Sequence, residues 1–139
     1  MKILVVEPMC SPYEKEMAPS LAEMQAIVGG TIQAIYPFEE PVALICNDEA
    51  KLLGMPLNRA LYDSSGRIYD VVAGTFFLCN APLDSSEFTS LDDDQIQRFK
   101  RLFRYPERFV RIGSHVVAIQ TEESEKGEVL CPSTKLMPR

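Results

Sequence analysis

The sequence predicts an α+β fold in which two main helices pack on a mostly antiparallel sheet. Short apolar runs of strand length recur along the chain, and two segments combine a helical apolar period with capping residues. These segments follow in the order strand, strand, helix, strand, strand, strand, helix. Such an order is typical of helices that lie against an antiparallel sheet.

The first half of the chain has clear element boundaries. Ser20 and Glu23 form a capping box at the start of the first helix, and Gly29–Gly30 provides its left-handed end. The predicted strands cover residues 2–7, 13–18 (an edge strand), 31–36 and 42–46. Because the first four elements are similar to the start of a β-grasp fold, we expect a β-grasp-like N-terminal half.

After residue 50, the sequence patterns that predict secondary structure are at first weaker than in the first half of the chain. Pro56 predicts one or two helical turns over residues 56–61, because proline favours the first helical position. Residues 67–80 predict a long strand that is interrupted at Ala73–Gly74. Residues 115–120 predict a last strand.

The second main helix is predicted to begin near Ser90, which forms a capping box with Asp93. Pro106 either ends this helix or begins a further short turn through Phe109. An apolar period defines the buried face of the helix. Its members are Leu91, Ile96, Phe99, Leu102 and Phe103.

The length and composition of the chain fit one packed domain. Its 139 residues are the usual size of a single domain. Hydrophobic residues make up 46% of the chain and charged residues 24%, as is ordinary for globular proteins. We predict one domain over residues 1–121, with a core over 1–80 and a helical extension over 84–111. Residues 122–139 are polar and contain prolines, so we expect a loosely ordered tail.

Charge and cysteine usage restrict the protein class. A net charge of −6 disfavours binding of nucleic acid or an anionic membrane by the whole surface. Ile3–Val6 is too short for a signal-peptide core, and no apolar stretch has the length of a membrane span. The four cysteines form no Cys-x-x-Cys pair. We therefore expect a cytoplasmic protein with buried thiols, in which a disulfide between Cys46 and Cys79 stays an open alternative.

Residues for catalysis or metal binding are scarce. The single histidine, His115, lies in an apolar run, and we interpret it as a partly buried strand residue because nothing nearby completes a triad. Asp92–Asp94 is better explained as favourable charge at a helix N-terminus than as a ligand cluster. We predict no catalytic residue, no metal site and no cofactor, and therefore no enzyme.

Two groups of residues are candidates for binding. Basic residues alternate with aromatic ones over residues 98–111. The basic residues either form the solvated side of an amphipathic helix or bind an anion. The anion-contact candidates are Arg98, Arg101, Arg104 and Arg108. The irregular segment 47–75 collects polar side chains at loops, where binding groups usually lie but where they also satisfy loop carbonyls. Its candidates for ligand or partner binding are Asn47, Asn58, Arg59, Asp70 and Thr75.

A family resemblance is carried by two stretches, VGGTIQAIYPFEEPVALICNDEAKLLGMPLNRAL and IYDVVAGTFFLC. The chain resembles, over residues 1–80, the bacterial domain-of-unknown-function family 3846. Members of this family are small proteins or modules, frequent in Firmicutes, in their phages and in mobile elements. The family has no established function to carry over. The resemblance implies an accessory or counter-defence role, and its motif-like positions fall within the segment 47–75.

Three functions remain as hypotheses. The first is a non-enzymatic interaction module that binds an unknown protein partner, in a mobile-element or phage context. The second is a small-ligand or nucleotide binder that uses the Asn58–Arg59 loop. The third, which we favour least, is nucleic-acid binding through residues 98–111. The oligomeric state stays open, although an edge strand over 13–18 could pair with another copy.

Overall fold

Residues 1–121, which the computed structural model describes, contain nine strands and two helices. The helices are α1 (Leu21–Val28) and α2 (Asp93–Leu102). The strands are β1 (Lys2–Val6), β2 (Tyr13–Glu16), β3 (Ile32–Ile35), β4 (Val42–Asn47), β5 (Leu57–Tyr62), β6 (Ile68–Ala73), β7 (Phe76–Asn80), β8 (Glu107–Ile112) and β9 (His115–Gln120). The predicted tail over 122–139 lies outside the described residues.

A five-stranded sheet in the order β2-β1-β7-β4-β3 forms the centre, and its neighbouring strands all pair antiparallel. Two further antiparallel pairs, β5 with β6 and β8 with β9, form separate two-stranded sheets. The predicted α+β class, with a mostly antiparallel sheet and two main helices, is confirmed. The β-grasp-like description of the N-terminal half is not confirmed and stays a prediction.

Both faces of the central sheet are buried, because its strands send alternate apolar side chains into two clusters. In β1, Leu4 and Val6 belong to the cluster that includes α2, whereas Ile3 and Val5 belong to the cluster that includes α1. Each fully buried side chain of this size contributes about 1.5–3 kcal/mol. The helices contribute Met24 and Val28 from α1, and Ile96 and Phe99 from α2.

The ends of α1 match the sequence prediction. The Ser20 hydroxyl accepts a hydrogen bond from the Glu23 amide at 3.2 Å, and Gly29 ends the helix with φ of 80°. The predicted interruption at Ala73–Gly74 is also present, since Gly74 has φ of 76° and separates β6 from β7.

The start of α2 differs from the prediction. Asp92 is the N-cap, and it forms a reciprocal capping box with Gln95. Ser90 has another role, because its hydroxyl accepts a hydrogen bond from the Lys2 amide at 2.9 Å. The predicted Ser90–Asp93 box was therefore wrong. Leu102 was also wrongly assigned to the buried face, because it is exposed.

Two predicted helical turns are strands. The residues after Pro56 form β5, which pairs with β6 across the turn Asp63–Gly66. The chain after Pro106 continues as β8, so a strand replaces the short turn predicted through Phe109. In both places, pairing with a strand from later in the chain outweighs the local helical preference of the residues after proline.

The thiols of Cys46 and Cys79 are free and buried. Cys46 and Cys79 belong to the clusters on opposite faces of the central sheet, and the disulfide left open from the sequence is therefore absent between them. Burial raises the pKa of Cys79 to about 12, because the thiolate would lose its hydration.

Replacement of the α2 cap tests its contribution to stability. Asp92→Ala removes the acceptor for the Gln95 amide, and we expect the free energy of unfolding in urea to fall by about 1 kcal/mol. Asp92→Asn is the control, because it keeps a side-chain oxygen and should lose much less. Equal losses in the two variants would show that charge, and not capping, is the stabilising factor.

Candidate functional site

A β-bulge in β5 directs two polar side chains into the interior. Leu57 pairs with Ala73 and Arg59 pairs with Val72, so Asn58 is an extra residue on its strand. Consecutive residues of a regular strand point to opposite faces, whereas the bulge allows Asn58 and Arg59 to be buried together.

The Asn58 amide joins two neighbouring chain segments. Its Nδ2 donates to the carbonyl oxygen of Val6 at 2.9 Å, at the end of β1, and to that of Gly74 at 2.8 Å. Its Oδ1 accepts from Nη1 of Arg59 at 2.9 Å. The Asn58 side chain therefore links β5 by hydrogen bonds to the end of β1 and to the β6–β7 connection.

The Arg59 guanidinium makes five hydrogen bonds, although the residue is only 1% exposed. Nε and Nη2 donate to the Phe103 carbonyl at 3.2 and 2.9 Å, and Nη2 also donates to the Cys10 carbonyl at 2.6 Å. Nη1 donates to Asn58. Its five N–H groups meet four acceptor atoms, because the Phe103 carbonyl accepts twice, so the guanidinium has no spare donor for a ligand.

The charge of Arg59 is maintained despite its burial. Desolvation lowers the pKa of Arg59 to about 10, and the nearby Glu107 carboxylate opposes this shift. The guanidinium remains protonated at neutral pH. It connects the loop after β1 with the end of α2, and we name this set of bonds the Arg59 network.

An aromatic pocket of about 250 Å³ lies beside the Arg59 network, between β5, β6, the end of α2 and the start of β8. Arg59, Glu107 and Gln120 contribute polar atoms to its lining. The rings that line it are Phe38, Tyr62, Tyr69, Phe103 and Tyr105.

Glu107 is the acid among the described residues that line the pocket, and it is 4% exposed. Its Oε1 accepts a hydrogen bond from the Ala60 amide at 2.7 Å. Burial, together with the neighbouring Glu107 carboxylate, raises the pKa of Tyr62. Sequence reasoning missed Glu107. The available signal was that it is the one acid in the basic segment 98–111.

The five candidates of the segment 47–75 do not form one site. Asn47 and Asp70 line a second pocket of about 170 Å³, where Asn47 bonds the Val28 carbonyl and Asp70 pairs with Lys51 at 2.9 Å. Thr75 lines a third cleft, together with Glu7 and Tyr13. Asn58 and Arg59 are in the Arg59 network, as described above.

The basic candidates are also separated. Arg98 forms a bidentate pair with Glu40 at 2.9 and 3.0 Å and bonds Asp94 at 2.9 Å, and these hydrogen bonds raise its pKa. The Arg104 guanidinium lies 5.5 Å from the centre of the Tyr105 ring. Arg101 is exposed in the last turn of α2, whereas Arg108 is exposed on β8. They therefore do not form one basic helical face.

The β8–β9 hairpin carries an exposed apolar surface. Directly paired residues share a face, and the pairs Arg108–Ile119, Val110–Val117 and Ile112–His115 define what we name the hairpin face. Its four aliphatic side chains are between 37% and 60% exposed. His115 is exposed, and the interpretation of it as partly buried was wrong.

Two further features are absent from the described residues. No helix there is long and apolar enough to cross a membrane. The same residues contain no group of three or more His, Cys, Asp or Glu side chains that could hold a metal ion.

Comparison with known proteins identifies a family. The family described as a domain of unknown function, DUF3846, matches residues 1–104, and the chain belongs to this family. The match confirms the resemblance and extends beyond residue 80 through α2. The β8–β9 hairpin follows the matched residues, so the aromatic pocket combines residues from inside and outside the match. No curated protein and no solved structure matches the chain.

The Arg59 network can be tested by one substitution. Arg59→Met keeps an unbranched side chain but leaves the buried Phe103 and Cys10 carbonyls without their donors, each at a cost of about 1–3 kcal/mol. We expect the free energy of unfolding to fall by about 3 kcal/mol in urea titrations. Arg67→Met, at an exposed arginine, is the control and should change it by less than about 0.5 kcal/mol. Equal effects of the two variants would contradict a structural role for the network.

Proposed function

We propose that the protein is a non-enzymatic accessory protein that binds a partner protein through the hairpin face. The exposed aliphatic side chains of Val110, Ile112, Val117 and Ile119 carry this proposal. Apolar residues scattered singly on a surface need no explanation, whereas a contiguous apolar patch is typical of an interaction site. A two-stranded hairpin is also marginally stable in water by itself, so a partner on this face would stabilise it.

The chemistry of the hairpin face indicates the kind of partner. Arg108 and His115 lie at its two ends, and its six residues include no carboxylate. An apolar surface with acidic residues at its rim would complement this face. Strand β9 contains no Lys, Arg, Asp or Glu, which also leaves its outer edge favourable for pairing with an extended segment of the partner.

The alternatives receive less support. The aromatic pocket, at about 250 Å³, is smaller than the roughly 300–1,000 Å³ of typical small-molecule sites, and Arg59 has no donor left for a nucleotide phosphate. For nucleic acid, Arg98 is already paired with two carboxylates and the remaining arginines are dispersed. The net charge of −6 acts against binding to a polyanion.

The setting of this function is part of the proposal. The family resemblance supports an accessory role in phages or mobile elements, and the composition supports a cytoplasmic location. In that setting the partner is a host protein, and the hairpin face is the surface that selects it.

A charge on the hairpin face tests the proposal. Val117→Asp places a carboxylate at its centre, and we expect partner recovery from host lysate to fall by about tenfold or more, measured by quantitative mass spectrometry. Leu83→Asp is the matched control, because Leu83 is 94% exposed and belongs to the loop between β7 and α2. Light scattering of the full chain shows whether the partner is instead a second copy. Equal recovery of the same proteins by both variants and the unmodified chain would contradict the proposal.

A further inference from the structure

The walls of the aromatic pocket favour a cation. The rings of Tyr62, Tyr69 and Tyr105, with those of Phe38 and Phe103, line a space of about 250 Å³. The face of an aromatic ring carries negative charge density, and it attracts an ammonium group within about 6 Å of its centre. Several rings around one small space add such attractions.

The polar groups of the pocket have the same preference. Glu107 presents a carboxylate, and the tyrosine hydroxyls supply further acceptors. Arg59 is the cation beside Glu107, but its hydrogen bonds go to Asn58 and to the carbonyls of Phe103 and Cys10. Because no guanidinium N–H remains available, an incoming anion would meet the Glu107 charge without a charged donor to bind it.

The size of the pocket also limits the ligand. A volume of about 250 Å³ is smaller than most sites for drug-sized molecules, and it suits one long side chain or a small amine. The alkyl part of such a group would pack against the rings while its charged end approaches Glu107.

We propose that the aromatic pocket binds an alkylammonium group, as presented by a lysine side chain or by a free amine. Glu107 and Gln120 lie on the opposite side of the hairpin from the hairpin face, because pleating alternates the side chains along β8 and β9. The pocket is therefore a second site, and its occupation does not require the partner that the hairpin face binds.

A titration with small probes tests the ligand class. Amide chemical shifts of the full chain are followed while Nα-acetyl-lysine N-methylamide is added, and perturbations are expected at Ala60 and Tyr69. The neutral analogue Nα-acetyl-norleucine N-methylamide, which lacks the ammonium group, should bind about fivefold more weakly. Nα-acetyl-glutamate N-methylamide should bind more weakly still. Equal binding of the lysine and norleucine probes, or tighter binding of the glutamate probe, would overturn the proposal.

The free-amine arm distinguishes the two sources of the ammonium group. If n-butylammonium binds as tightly as the lysine probe, the free amine is sufficient. If it binds about tenfold more weakly, the peptide backbone takes part and the ligand is a lysine of a polypeptide. Both results support an alkylammonium site. If neither cation binds up to the limit of its solubility, the proposal is contradicted.

Variants at Tyr69 locate the site without disturbing the interior, because this side chain is exposed at the pocket rim. Tyr69→Leu keeps an apolar wall but removes the ring, and we expect the preference for lysine over norleucine to fall about threefold. Tyr69→Phe keeps the ring and should keep the preference. Tyr13→Leu, at a tyrosine that lines the third cleft, is the control at another site. An unchanged preference in Tyr69→Leu would place the binding elsewhere and overturn the proposal.

Discussion

The buried guanidinium of Arg59 is the constraint on which the arrangement of the surrounding elements depends. A buried cation is costly unless its donors are satisfied, and here the acceptors come from the loop after β1, from the end of α2 and from the β5 bulge itself. These segments can satisfy one side chain only in a single relative position. Arg59 therefore fixes the β5–β6 hairpin against the central sheet and α2.

The same constraint shapes the candidate sites. With Arg59 fixed, Ala60 presents its amide to Glu107, and this bond connects the start of β8 to β5. The remainder of the β8–β9 hairpin extends from this attachment with its aliphatic side chains exposed. The buried polar network thus provides rigidity, whereas binding is assigned to the aromatic pocket and the hairpin face.

The sequence was sufficient to predict structural features that depend on residues close together in the chain. The α1 ends at Ser20 and Gly29 and the chain break at Gly74 follow from side-chain capping and from positive φ, which are readable along the chain. The roles of Arg59 and Glu107 were not readable, because the bonds that link Arg59 to Phe103 and Cys10, and Glu107 to Ala60, join residues 44 to 49 positions apart along the chain. The helical turns predicted after Pro56 failed for a different reason: residues 57–62 pair with β6 in a hairpin, and this strand pairing outweighs the local helical preference.

Hydrogen–deuterium exchange of the full chain, with and without the captured partner, tests the assignment of function to the hairpin most directly. We expect the partner to slow exchange of amides within residues 108–119, while the segment 47–75 and the central strands keep their exchange rates. Slower exchange confined to the segment 47–75, with the hairpin unchanged, would contradict it.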